Sequence, residues 1–225
     1  MLRIPLAATC LFLAAQIANA ENTIVSVGGT AIALPSPKGF FRYDGKSAKV
    51  DAFDQQAAGA GNRILAEFGS DETLAEVLAG RFPNNDLNFN ALCTRSVESL
   101  AFTPAVFDQF KPVLRRIAVS QIDRNVVKDI ETNVSVAIGS SLKMGEAVPL
   151  GVFDETPDSV CFSILVKAQG RIGELVMITA CSTVRVNNRV LSLYATAPYR
   201  GKSDIEWARR SVQRWRDAVL KANAQ

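Results

Sequence analysis

The most informative chemical feature of the sequence is that it contains no histidine. Ser-His-Asp and Cys-His catalysis both depend on an imidazole base. Imidazole is also the commonest transition-metal ligand, so its absence argues against a typical catalytic zinc site. The cysteines are far apart and form no Cys-x-x-Cys motif, which argues against a thioredoxin-type redox centre. We therefore expect no metal and no cofactor, and we assign no catalytic residue.

Two patterns would support catalysis without histidine. Asp71-Glu72 and Asp154-Glu155 are adjacent carboxylates, and glycosidases use pairs of carboxylates. Neighbouring residues of a strand point to opposite faces, however, and acids at a helix start complement the helix dipole. Ser140 and Lys143 have a Ser-x-x-Lys spacing, which can place a nucleophile and a base on one helix face. The sequence favours a protein without catalytic activity. The alternative is a histidine-independent hydrolase that uses carboxylate or Ser-Lys chemistry.

Basic side chains are concentrated near the carboxyl terminus, where Arg209, Arg210 and Arg214 follow Trp207. If these four side chains share an exposed face, they form a candidate binding surface for an anionic lipid or the cell wall. Cations late in a helix also offset its dipole, so the arginines have a purely structural interpretation as well.

The elements that must position these residues are clearest in the last third of the chain. Alternating apolar residues and short turns predict an antiparallel meander of four strands, with a two-residue turn at Asn187-Asn188. A capping box at Ser203–Glu206 then predicts the start of a closing helix, whose apolar stripe should lie on the sheet. Strands are also expected at 23–27, 30–34, 63–68 and 89–97, and helices at 47–58, 70–80, 103–117 and 124–137, with Pro112 kinking or splitting the third. The pattern predicts an α+β domain, an antiparallel sheet packed against helices.

The strand register suggests a disulfide bond. A hairpin turn about Arg171 keeps one face apolar and places Cys161 opposite Cys181. Opposed Cβ atoms lie about 4.5–5.5 Å apart, somewhat wider than the ~3.8 Å of a disulfide. Cys93 would then be a free thiol. Two alternatives stay open: unbonded, buried thiols, or a bond between Cys93 and either of the other two.

The amino terminus has the three parts of a secretory signal peptide. Met1-Leu2-Arg3 is basic, residues 4–15 are uncharged and mostly apolar, and Ala18-Asn19-Ala20 is an A-x-A cleavage site. We expect cleavage after Ala20, giving a signal peptide of residues 1–20 and one globular domain of residues 21–225 in the periplasm. Cleavage also removes Cys10, which leaves three cysteines.

Composition narrows the class of protein. Apolar residues make up 48% and charged residues 21%, which is ordinary for a domain with a sizeable core. Loss of Arg3 with the signal lowers the net charge from +3 to +2. Such a small surplus gives no reason to expect a nucleic-acid partner. No later segment has 18 consecutive apolar residues, so we expect no transmembrane segment after signal removal.

Several short motifs resemble a group of uncharacterised exported proteins of Gram-negative bacteria. They are Ile-Ala-Leu-Pro-Ser-Pro-Lys-Gly-Phe at 32–40, Arg-Val-Leu-Ser-Leu-Tyr at 189–194, Ile-Glu-Trp at 205–207, and the segment 215–223. The order of elements is also similar to the PsbP-like fold, an antiparallel sheet sandwiched between helices. That resemblance implies an interaction or assembly protein. We therefore expect a periplasmic binding or assembly accessory protein with an unknown protein or cell-envelope partner.

Overall fold

The computed structural model of the chain describes residues 22–83, 87–120, 128, 131–132, 135, 143–145, 147–170 and 173–224. The expected signal peptide of residues 1–20, the Ser140 position and most of the expected helix at 124–137 lie outside the described residues. The described part forms four helices and ten strands, and the predicted α+β class is confirmed.

The helices are α1 (Ala48–Ala58), α2 (Asp71–Leu78), α3 (Pro104–Ile117) and α4 (Lys202–Ala222). The strands are β1 (Asn22–Val27), β2 (Thr30–Pro35), β3 (Phe41–Arg42), β4 (Asn62–Gly69), β5 (Asn88–Thr94), β6 (Lys143–Met144), β7 (Val148–Thr156), β8 (Ser159–Gly170), β9 (Gly173–Val186) and β10 (Arg189–Pro198). Helix α3 is continuous through Pro112, so of the two predicted effects, a kink or a split, the proline does not split the helix.

The main sheet is antiparallel, with strand order β3-β4-β5-β10-β9-β8. The far edge of β8 pairs with β7 along its first half and with β6 near its end. Strands β7 to β10 form the predicted meander. Asn187 and Asn188 both have positive φ, at 49° and 58°, as a two-residue type I′ turn requires. Strands β1 and β2 form a separate hairpin.

Helix α4 covers one face of the main sheet, as its apolar stripe predicts. Val212, Trp215 and Val219 are buried, and the Trp215 ring meets Phe68 and Phe89 edge-to-face at centroid distances of 5.6 and 5.5 Å. The Trp215 indole N–H donates to the Pro35 carbonyl at 2.8 Å, which satisfies the one polar atom of the ring. This side of the sheet is therefore the main hydrophobic core.

The start of α4 differs from the predicted capping box. The helix begins at Lys202, so Gly201 is the N-cap and Ser203 is already inside the first turn. The Asp204 carboxylate accepts from the backbone N–H groups of Arg200 and Gly201, at 2.7 and 2.9 Å. Asp204 therefore caps this helix end, in place of the predicted Ser203–Glu206 pair.

The predicted register of the β8–β9 hairpin is wrong by one residue. Gly170 pairs with Gly173, so two residues separate the paired ends of the hairpin, where the predicted register has one. Cys161 is consequently opposite Ser182 and not Cys181. Cys181 is opposite Phe162, and directly opposed residues share a face. Cys161 and Cys181 therefore point to opposite faces of the sheet. The structure has no Cys161–Cys181 disulfide: Cys93, Cys161 and Cys181 are all free and buried.

Helices α1 and α3 lie on the second face of the sheet. Phe107 and Leu114 of α3 pack with Val160 and Val190 near β8. Val50 of α1 packs instead in a cluster at the β3–β4 end. No helix among the described residues is long and apolar enough to cross a membrane.

Candidate functional site

A row of polar side chains crosses the second face of the sheet. Glu67 of β4 is opposite Asn90 of β5, and Asn90 is opposite Tyr194 of β10. One step along the strands, Thr179 is opposite Thr196, and their hydroxyl oxygens lie 3.2 Å apart. The face that points away from α4 therefore carries hydrogen-bonding groups on four adjacent strands.

A β-bulge turns Glu67 toward this face. The pairing of β4 with β5 shifts between Ile64 and Ala66, so Ile64 and Glu67 both pair with residues of the second face although they are three apart in sequence. A regular strand alternates its faces every residue and would place these two side chains on opposite sides. Bulges re-aim side chains in this way beside functional sites.

Helix α1 covers one side of the polar row and encloses a cleft with a volume of about 220 Å³. Gln55 fixes the helix to the bulged strand: its amide donates to the Asn62 carbonyl at 2.9 Å, and its side-chain oxygen accepts from the Ile64 N–H at 3.3 Å. The polar lining consists of Asp54, Glu67, Asn90, Thr179, Tyr194 and Thr196, and the apolar lining of Ala57, Ala58, Ile64 and Leu92. No Lys or Arg is among the described residues that line the cleft.

Two of the lining residues, Asp54 and Glu67, bring their carboxyl groups together. Glu67 is only 1% exposed. Its Oε1 accepts from the Asn90 amide at 2.8 Å. Within the described part of the chain, Glu67 Oε2 and Asp54 Oδ2 are buried and receive no hydrogen bond from the rest of the protein, so the donor available to them is a proton of their own. Leaving a buried acceptor unsatisfied costs about 1–3 kcal/mol, and more when the group is charged.

The electrostatics of the pair favour a shared proton. Burial, followed by the charge of Asp54, raises the pKa of Glu67. Burial also raises the pKa of Asp54, against a smaller lowering by its hydrogen bond with Glu67. Two carboxyl groups in contact in a poorly solvated site cannot easily both ionise. They titrate as a pair, in which Glu67 holds the proton and Asp54 the charge.

The surroundings of the pair fix its geometry without supplying a positive charge. The Glu67 N–H donates to Asp44 Oδ1 at 2.9 Å, and the Glu67 carbonyl accepts from the Tyr43 N–H at 3.0 Å. Arg42 is engaged by Asp44 through two hydrogen bonds of 2.8 and 2.6 Å. Burial, followed by the neighbouring acidic groups, raises the pKa of Tyr43, so that side chain stays a neutral phenol.

The four candidate binding residues of the closing helix do not share one exposed face. Trp207 is half-buried, with its ring centroid 5.9 Å from that of Phe89 in the core. Arg209 donates to Ser163 Oγ at 3.0 and 3.1 Å and lies over the Phe153 ring. Arg210 and Arg214 are exposed and one helical turn apart, and Arg210 pairs with Glu206.

The carboxylate pairs identified in the sequence are also separated. Asp154 forms an ion pair with buried Arg216 under α4, whereas Glu155 pairs with Arg115 of α3 on the other side of the sheet. Their opposite directions agree with the expectation for neighbours in a strand. Asp71 and Glu72 occupy the first turn of α2, where acids complement the helix dipole.

The three described cysteines are poorly placed for chemistry. Burial raises the pKa of the Cys93 thiol to about 11 and that of Cys181 to about 12, so both stay protonated at neutral pH. Burial also raises the pKa of Cys161, whose sulfur accepts from Arg216 at 3.4 Å. A thiol is a weak nucleophile, since the thiolate is the reactive form. These residues serve as small buried side chains.

Sequence reasoning missed Asp54 and Glu67, although the sequence carries a signal for each. Glu67 is the one charged residue in the run Ile-Leu-Ala-Glu-Phe at 64–68, where an apolar side chain would suit a covered strand. Asp54 follows Val50 by four residues, which places it near the buried side of α1. A charge inside an apolar pattern indicates a special environment, but not that two such charges meet.

Comparisons with known proteins add no assignment. The chain matches no protein-family model and no curated protein. No group of three or more potential metal-ligating His, Cys, Asp or Glu side chains occurs among the described residues. The interpretation of the cleft therefore rests on its own geometry and charge.

Proposed function

We propose that this chain is an exported, periplasmic binding protein without catalytic activity, which holds a small ligand in the cleft between α1 and the second face of the sheet. The observation that carries the proposal is the pair of buried carboxyl groups that line the cleft and receive no donor from the rest of the protein. An accessory role in an assembly is compatible with such binding. The periplasmic location follows from the expected signal peptide of residues 1–20.

The pair is costly unless something satisfies it. Two buried carboxyl groups without a donor from the rest of the protein, one of them charged, destabilise the fold. Binding sites often retain such destabilising groups because a ligand uses them. A ligand with hydrogen-bond donors would satisfy Glu67 Oε2 and Asp54 Oδ2 together.

The rest of the lining suits a small organic molecule. Ligand sites combine apolar walls with a few converging polar groups, and sites for drug-sized molecules usually occupy about 300–1,000 Å³. This cleft is smaller, at about 220 Å³. Ala57, Ala58, Ile64 and Leu92 provide the apolar wall. The Thr179–Thr196 hydroxyl pair provides polar contacts away from the carboxyl groups.

Hydrolysis by the carboxyl pair is the second candidate function. The observation in its favour is the shared proton, because aspartic proteases use two carboxyl groups that share one. Glycosidase chemistry fits less well, since its carboxyl groups stand about 5–9.5 Å apart around the scissile bond. Glu67 is nearly completely buried beneath α1, which favours binding over the attack of a water molecule on a large substrate.

A thermal-shift screen tests the proposed function. The mature chain is heated with individual small molecules, including amines, sugars, amino acids, alcohols and carboxylates. A ligand of the folded state raises the Tm in a concentration-dependent way. The same screen is run on Asp54→Asn with Glu67→Gln, which neutralises the pair, and on Glu206→Gln, an exposed control on α4.

We expect compounds that stabilise the wild type and the control but not the double variant. A screen with no such compound would contradict a binding role for the cleft. Compounds that stabilise all three proteins equally would place binding elsewhere. Turnover of a compound by the wild type alone would instead support the hydrolase.

A further inference from the structure

We infer that the ligand is a small organic ammonium ion, whose nitrogen lies between Asp54 and Glu67 and whose apolar body lies against the wall formed by Ala57, Ala58, Ile64 and Leu92. This inference rests on the proposed function and names the chemical class that the cleft selects.

The first argument is charge. The described residues that line the cleft include two carboxyl groups and no Lys or Arg. Asp44 and Asp51 add two further acids close to the pair. The nearby Arg42 is held by Asp44. An anionic ligand would meet like charge without a counterion, whereas a monocation would balance the charge of the pair.

The second argument is the number and type of hydrogen-bonding atoms. Glu67 Oε2 and Asp54 Oδ2 are two buried acceptors that receive no donor from the rest of the protein. An alkylammonium group carries three N–H donors and no acceptor, so it can replace the shared proton, donate to both oxygens and still reach a third acceptor. An alcohol carries one donor and serves one of the two oxygens when it displaces that proton. The Asn90 amide donates to the other Glu67 oxygen, Oε1, at 2.8 Å.

The third argument is shape. Glu67 lines the cleft and is only 1% exposed, so only a small head group can reach it. The apolar wall begins beside it, with Ala57 and Ala58 one turn beyond Asp54 on α1 and Ile64 on β4. A divalent metal is a poorer match, because the described residues hold no group of three potential ligands.

Binding of an ammonium ion should release the proton that the pair shares. With the cation in place, both carboxyl groups are ionised, and the displaced proton passes to solvent. The charges balance. Before binding, the ammonium ion carries +1 and the pair −1; after binding, the complex of the ammonium ion with two carboxylates carries −1 and the released proton +1. Other titratable groups face the pair: Asp51 from α1, Tyr43 and Asp44 beside β3, and Tyr194 from the sheet.

The test is isothermal titration calorimetry with ethyl-, n-butyl- and n-hexylammonium, each matched to the alcohol and carboxylate of the same chain length. Titrations at pH 6, 7 and 8, in buffers of different ionisation enthalpy, report the protons released. We expect at least one ammonium ion to bind with release of close to one proton, and its Kd to fall about tenfold per pH unit. Glu67→Gln should abolish the proton release and the pH dependence.

Other outcomes overturn the inference in distinguishable ways. Tighter binding of the matched alcohol, carboxylate or Ca²⁺ than of the ammonium ion refutes the ligand class but leaves the cleft as a binding site. Ammonium binding without proton release, or unchanged by Glu67→Gln, places the cation elsewhere. If neither these compounds nor any in the thermal-shift screen binds, the inference and the proposed function both fail.

Discussion

The buried Glu67 carboxyl should make the folded protein less stable as the pH rises, and Glu67→Gln should remove that dependence. Between pH 6 and 8 Glu67 keeps its proton in the folded state, because burial, followed by the charge of Asp54, raises its pKa to about 9. The unfolded chain has lost that proton, since an ordinary Glu ionises near pH 4.3. The folded state therefore binds one more proton, and its stability falls with increasing pH.

The size of the effect follows from one proton. Each pH unit changes the free energy of unfolding by about 1.4 kcal/mol per proton, so the pair lowers stability by about 2.8 kcal/mol from pH 6 to 8. In Glu67→Gln the amide can donate to Asp54, and no proton is retained. The difference in stability between the variant and the wild type should therefore grow by about 2.8 kcal/mol over this range, with the variant the more stable.

Urea denaturation at pH 6, 7 and 8 measures this difference, provided that unfolding is two-state. Glu206→Gln is the matched control, because its carboxyl is 64% exposed and far from the cleft. We expect the control to follow the wild type at each pH. If the stabilities of the Glu67→Gln variant and the wild type change in parallel, Glu67 is ionised in the folded state and the reasoning about the shared proton is refuted.

Further predictions concern the buried cysteines of the sheet and the buried Arg216 of α4. Non-reduced peptide mapping of the purified protein should show Cys161 and Cys181 unbonded, and reduction should leave the Tm unchanged; a Cys161–Cys181 peptide would contradict the register. Arg216 is 5% exposed and paired with Asp154, so Arg216→Ala should cost about 3–5 kcal/mol of unfolding free energy, measured in urea. Arg214→Ala, the exposed control, should change it by less than about 0.5 kcal/mol, and equal losses would refute the argument from burial.

Much of the fold was predictable because local patterns and tertiary structure agree. The meander, the Asn187-Asn188 turn and the apolar stripe of α4 each depend on one local signal in the sequence. The turn follows from residues that tolerate the left-handed backbone, and the stripe from the helical spacing of Val212, Trp215 and Val219. The register of β8 was not predictable in the same way. Helices lie on both faces of the sheet, so Phe162 and Ile164 point one way and Cys161 and Leu165 the other, and both sets are largely apolar.

The site could not be predicted for a different reason. Asp54 and Glu67 are thirteen residues apart on a helix and a strand, and they meet because a bulge turns Glu67 and Gln55 fixes α1 over it. Neither the bulge nor the crossing of α1 leaves a short motif in the sequence. The lone charge in an apolar strand was visible, but its partner depends on tertiary packing.

The most direct test of the account is a ¹³C NMR titration of the Glu67 side-chain carboxyl, assigned by its loss in Glu67→Gln. We predict that at pH 7 its signal has the chemical shift of a protonated carboxyl group, and that saturating n-butylammonium moves it to that of a carboxylate. A Glu67 signal that ionises together with the exposed carboxyl groups near pH 4–5, and does not respond to the ammonium ion, would contradict both the shared proton and the proposed ligand.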